Sequence, residues 1–95
     1  MKIDVVTYAA QHGIAVDYFP MKGKGFCLMD EGRYYIAVNA ALPNSEKLDV
    51  ILHELGHIMT GSDYTESVLE SERIRKEQNA ISWATANRGR FADIL

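Results

Sequence analysis

Val50-Ile-Leu-His-Glu-Leu-Gly-His-Ile-Met59 decides how the chain is read. The apolar residues Leu48, Ile51, Leu52, Leu55, Ile58 and Met59 recur at helical spacing and share one arc of a helix. The opposite arc carries His53, Glu54 and His57. Histidines four apart on a helix lie about 40° apart around its axis, so both imidazoles reach one metal ion. Glu54 stands about 100° from His53 and about 60° from His57, close enough to hold a water on that metal. A bare His-Glu-x-x-His also occurs by chance in unrelated helices. Here the flanks favour chemistry: one face is built for burial, and Gly56 lies inside the motif. A glycine within a helix costs about 1 kcal/mol against alanine, which predicts close approach of another stretch of backbone.

Outward from this helix, composition sets the frame. Ninety-five residues form one domain over 1–95, and 47% apolar residues suffice for one modest core. A net charge of −3 argues against direct nucleic-acid binding. No apolar run has the length of a membrane span. Met1-Lys-Ile-Asp-Val5 lacks the apolar core of a signal peptide, so a cytoplasmic location is expected. The lone Cys27 can form neither an internal disulfide nor a cysteine metal site, and is expected in a buried strand.

Before the motif, residues 4–12 read as a short helix, with Asp4 as N-cap and Gly13 just past its end. His12, the third histidine, suits the helix C-terminus better than a metal. Ile14 to Phe19 reads as a strand stopped by Pro20. Met21-Lys-Gly-Lys-Gly25 is a loop, and without a Gly-Lys-Ser/Thr ending it is no phosphate loop. Gly25–Met29 and Arg33–Asn39 flank a hairpin turn at Asp30-Glu-Gly32. These runs predict a small antiparallel sheet of three strands, whose edge can take an extended peptide. The motif helix starts with Asn44 or Ser45 as N-cap and stops at Gly61. Ser62-Asp-Tyr-Thr65 connects it to a second long helix, opened by a Ser67…Glu70 capping box and running to about Asn87. Arg88 to Leu95 reads as a short tail. The fold expected is α+β: the sheet packed with an N-terminal helix, the motif helix and a second long C-terminal helix.

A catalytic zinc takes three protein ligands and leaves one position for water. The third ligand has candidates in Asp63, Glu66, Glu70, Glu72 and Glu77. Glu66, Glu70 and Glu77 share a helix face but are spread along its axis, so only one can meet the metal. Spacing favours Glu77, since Ala80 and Ala84 on that face allow close helix packing; Glu70 is the alternative.

His53-Glu-Leu-Gly-His-Ile-Met-Thr-Gly61, followed by Glu77-Gln-Asn-Ala80-Ile-Ser-Trp83-Ala84, resembles the ImmA/IrrE family of metallopeptidases. The resemblance spans residues 1 to about 86. It rests most specifically on the second signature, a Glu-x-x-Ala-x-x-aromatic-Ala pattern, because the first is shared with other zincins. It implies a zincin-like minimal core, Zn²⁺ held by His53, His57 and Glu77, and Glu54 as catalytic base. It also implies a helix-turn-helix repressor as substrate, cut to relieve repression, in a prophage or mobile-element setting.

Two positions depart from the family pattern. Ala84 is followed by Thr-Ala-Asn-Arg-Gly-Arg90 rather than a Leu-Leu-Met-Pro-like segment and further helices, so part of the cleft is expected to be missing or supplied by a partner. Ile81 stands where many glutamate zincins carry a carboxylate that orients a histidine.

The chemistry implied is metal-assisted hydrolysis, with Glu54 taking a proton from the attacking water and passing it to the leaving amine. Tyr64 is the candidate for an added oxyanion donor. The rival is a non-catalytic, metal-stabilised antirepressor acting by sequestration. An intact Glu54 favours the enzyme, because metal binding alone does not need it. A purely structural zinc site normally has four protein ligands, often cysteines.

Overall fold

The computed structural model describes residues 1–61 and 69–95. In chain order it contains α1 (Val5–Gln11), β1 (Ile14–Phe19), β2 (Gly25–Asp30), β3 (Arg33–Asn39), α2 (Asn44–Met59) and α3 (Glu70–Asn87), followed by a 3₁₀ turn at Arg88–Arg90. The fold is a small α+β arrangement.

Asp4 caps α1: its carboxylate accepts from the Thr7 backbone N–H at 2.9 Å and from the Thr7 hydroxyl at 2.8 Å. At the other end His12 donates from Nδ1 to the Tyr8 carbonyl at 2.9 Å. Gly13 follows at φ +73°, the left-handed conformation that ends a helix.

The sheet order is β1-β3-β2. β2 and β3 are antiparallel, with Cys27 opposite Ile36. β1 and β3 are parallel, with Val16 opposite Ile36. The sheet is therefore mixed, which corrects the expectation of three antiparallel strands. Burial decides otherwise, because β3 alone has a continuous buried run, Ile36, Ala37 and Val38. A strand apolar on both faces belongs in the centre. Asn39 ties down the β1–β2 loop that this order requires, donating from Nδ2 to the carbonyls of Met21 at 3.1 Å and Gly23 at 2.8 Å.

One face of the sheet supplies Ile14, Ile36 and Val38 to the core. Val5, Tyr8 and Ala9 of α1 and Leu48, Ile51, Leu52 and Leu55 of α2 complete most of it. The remaining member is Phe91, 1% exposed, whose ring meets Tyr8 edge-on at 5.2 Å. The expected short tail is thus corrected. Phe91 pairs in parallel with Ile3, closed by Ile3 N–H to Arg90 O and Ala92 N–H to Ile3 O, both 2.8 Å. An isolated aromatic among Arg, Gly, Ala and Asp has no periodicity to announce burial.

The motif helix starts at Asn44 itself, with Pro43 in the cap position and no side-chain cap bond, so neither Asn44 nor Ser45 is the N-cap. Proline's fixed φ suits the turn into the helix without help from a side chain. Thr60 closes the helix, its hydroxyl donating to the Gly56 carbonyl at 2.6 Å, and Gly61 follows at φ +65°. α3 begins at Glu70, with Leu69 as N-cap and no side-chain cap bond. Ser67 of the expected capping box and the Ser62–Thr65 connection lie outside the described residues.

The two long helices meet at Gly56. A Cβ there would stand 2.5 Å from the Ala80 carbonyl oxygen and 2.9 Å from the Ala80 Cα. Glycine on one helix and a fully buried alanine on the other bring the two backbones into contact.

Candidate metal centre

That contact sets the depth at which α3 lies against α2, and so places Glu77 across from the two histidines. His53 Nε2 is 2.6 Å from Glu77 Oε1, His57 Nε2 is 3.1 Å from Glu77 Oε2, and the two Nε2 atoms are 3.3 Å apart. One ligand atom from each residue falls within 4.8 Å of the others. The donor set can be tested against a metal. Ligands roughly 2.0–2.1 Å from a tetrahedral ion stand about 3.3–3.4 Å apart. The Nε2–Nε2 separation has that length, and two imidazoles with one carboxylate are a donor set that zinc favours. His53 Nε2 and Glu77 Oε1, at 2.6 Å, are at hydrogen-bond distance and would part to admit an ion; the donor chemistry fits a divalent ion of this type.

Burial is uneven around the cluster. The His57 side chain is 4% exposed, while those of His53 and Glu77 are 31% and 38% exposed. The buried histidine anchors the cluster, and the other two leave one side open to solvent. Three protein donors with an open side is the pattern of a catalytic rather than a structural site.

Glu54 does not belong to this group of three. Its carboxyl is pushed above the usual range, chiefly by burial; Glu77 adds to the rise, while His57 and His53 oppose it. A carboxyl raised in this way holds a proton more readily than an exposed one.

The remaining candidates fall away from the centre or outside view. His12 caps α1. Glu70 and Glu72 sit in the first turn of α3 and are not in the cluster. Asp63, Tyr64 and Glu66 lie outside the described residues. Cys27 is on β2, half-buried rather than buried. Sequence reading missed an ion pair beside the site, Arg88 to Asp49, which joins the end of α3 to the middle of α2. Asp49 and His53 are one helical turn apart, which was legible; that Arg88 would return to meet Asp49 was not.

A small mixed sheet, two close-packed helices and a two-histidine, one-glutamate cluster make a candidate metal centre. The profile of the Peptidase M78 family, described as the IrrE N-terminal-like domain, matches residues 9–87, and the chain belongs to that family. It has no significant match among curated proteins or among solved structures. No described helix is long and apolar enough to cross a membrane.

Proposed function

We propose that the chain is a zinc-dependent endopeptidase whose substrate is a helix-turn-helix repressor, cut to relieve repression in the cytoplasm of a prophage- or mobile-element-bearing cell. The observation that carries the catalytic part is the convergence of His53, His57 and Glu77, with a half-buried Glu54 one residue along from His53. Zinc bound there supplies Lewis-acid chemistry, making a water acidic near neutral pH and polarising the scissile carbonyl.

The protein side of the reaction follows from placement. His53, His57 and Glu77 hold the ion. Glu54 accepts a proton at its carboxylate and delivers it to the leaving amine. β1 and β2 are the two edges of the sheet. β2 approaches the motif helix near the centre: a Cβ on Gly25 would stand 2.6 Å from Val50 Cγ1, and Val50 lies one turn before His53. An extended substrate segment adds to β2 by backbone hydrogen bonding and so runs beside the centre. The repressor as substrate class rests on the family resemblance.

Glu54→Gln tests the reading. The amide keeps the shape of the side chain and leaves the three metal-binding residues alone, but it cannot accept the proton. Purified wild type and variant are incubated with a candidate repressor, and products are followed by gel and mass spectrometry. The expected result is cleavage by the wild type, and at least a 10²–10⁴-fold slower reaction by the variant, roughly the contribution of general acid–base catalysis. Repressor left intact by both proteins, yet bound and released from DNA equally by both, would replace the peptidase with an antirepressor that sequesters.

A further inference from the structure

A histidine that binds a metal through one ring nitrogen needs an acceptor for the proton on the other; that second bond fixes the tautomer and raises the ligand's basicity. In His53, Nε2 is turned to Glu77 and His57, at 2.6 and 3.3 Å. With a metal on Nε2, Nδ1 would carry the ring proton. Among the described residues, no hydrogen bond is formed to it.

His53 also lines a cavity of about 190 Å³ between α2 and α3, shared with Asp49, Ile81, Thr85 and Arg88. Ile81, contributed by α3, has no acceptor to offer. Asp49 and Thr85 do. Asp49 lies one turn before His53 on α2, and helical side chains lean toward the N-terminus, so the His53 ring leans toward Asp49. Its carboxylate is engaged by Arg88 through Oδ1 and makes no other bond among the described residues, which leaves an oxygen to accept. A carboxylate also answers the positive charge that an imidazole acquires on a metal better than a hydroxyl does.

We propose that Asp49, held by Arg88, is the positioning residue of the centre and accepts the Nδ1 proton of His53 when metal is bound. The chain thus draws from α2 itself, four residues before the histidine, the carboxylate that α3 lacks at Ile81. This inference rests on the metal-centre reading.

Zinc affinity, measured by competition with a chromogenic chelator, tests it on the full chain. Asp49→Ala should weaken zinc binding about 10–100-fold, the usual loss when such a partner is removed. Asp49→Asn, which keeps an acceptor oxygen, should recover part of the loss. Arg88→Met breaks the same ion pair but should leave affinity within a few fold. Urea melts of the metal-free variants give the stability each has lost. In the zinc form, the Nδ1 proton of His53 should be visible by NMR and vanish in Asp49→Ala.

Equal losses from Asp49→Ala and Arg88→Met would reduce the pair to a structural tie and overturn the proposal. A loss in Thr85→Val with none in Asp49→Ala would hand the role to Thr85. A wild type that takes up no zinc would remove the metal centre itself, and this inference with it.

Discussion

The two halves of the molecule are held by different means. The half built from α1, the sheet and the inner face of α2 is bound by apolar burial. α2 alone buries Leu48, Ile51, Leu52 and Leu55, and Phe91 closes the far side. α3 is longer than α2, yet Ala80 is its one buried residue among those described. Trp83 and Ala84 reach the core only in part. Beyond that partial packing, α3 meets α2 in a backbone contact at Gly56, the Asp49–Arg88 pair and the His53–His57–Glu77 cluster. That ion pair is exposed, and such pairs are worth about 0–1 kcal/mol. The scaffold therefore stands on its core, and the second helix has far less apolar burial to hold it. If the proposed centre holds its ion, α3 is the element that the ion should stabilise most.

The largest effect expected from breaking this contrast is in the scaffold. Phe91→Ala empties a fully buried position against Tyr8 and should cost about 3–5 kcal/mol in a denaturant melt. Both halves should fail together, because α2 carries the core and the motif alike. Loss of α3 alone, with the sheet intact, would show that Phe91 serves the second half only.

Removing the metal should come next and act on the other half. A ligand present at a thousand times its Kd stabilises by about 4 kcal/mol. Chelation should thus lower Tm, and amide exchange should accelerate in α3 before it does in β3 and α1. Uniform acceleration would mean that the halves are not energetically distinct.

Gly56→Ala strikes the seam between them. The added methyl would meet the Ala80 carbonyl at 2.5 Å, so the helices must separate. Overpacking of this kind costs about 1–3 kcal/mol. The separation also moves Glu77 from the histidines, so zinc affinity should fall along with stability. A stable variant with full affinity would show that the helices have room to give.

The smallest effect belongs to Asp4→Ala. It removes the cap of α1 and should cost about 1 kcal/mol in a denaturant melt, with zinc affinity unchanged.

The same division explains what could be read from sequence. Features set by local rules were legible. These include the two faces of α2, Asp4 and Gly13 at the ends of α1, the hairpin about Glu31 and Gly32 (φ +51° and +78°), and the glycine that demands a close neighbour. Glu77 was legible because Ala80 and Ala84 mark the face of α3 that packs. Features set by distant pairing were not. Strand order depended on which strand is buried on both faces, and the sense of β1 differs from the antiparallel one expected. Phe91 stands alone in a polar stretch, and only the parallel bridge to Ile3 at the other end of the chain carries it inward. Arg88 meets Asp49 because α3 lies back along α2, a consequence of packing that neither residue's surroundings announce. The α2 cap failed for a local reason: Pro43 could start the helix without a side-chain acceptor, so the polar residues after it were not needed there.

Metal content tests the central claim most directly. Wild type, Glu54→Gln, His53→Ala, His57→Ala and Glu77→Ala are purified, loaded with zinc and freed of excess, and the ion is counted by elemental analysis with the fold checked by circular dichroism. The account predicts one zinc per chain in the wild type and Glu54→Gln, and near-complete loss in each of the other three. Full zinc in Glu77→Ala, with the ion lost instead from Glu70→Ala, would contradict it.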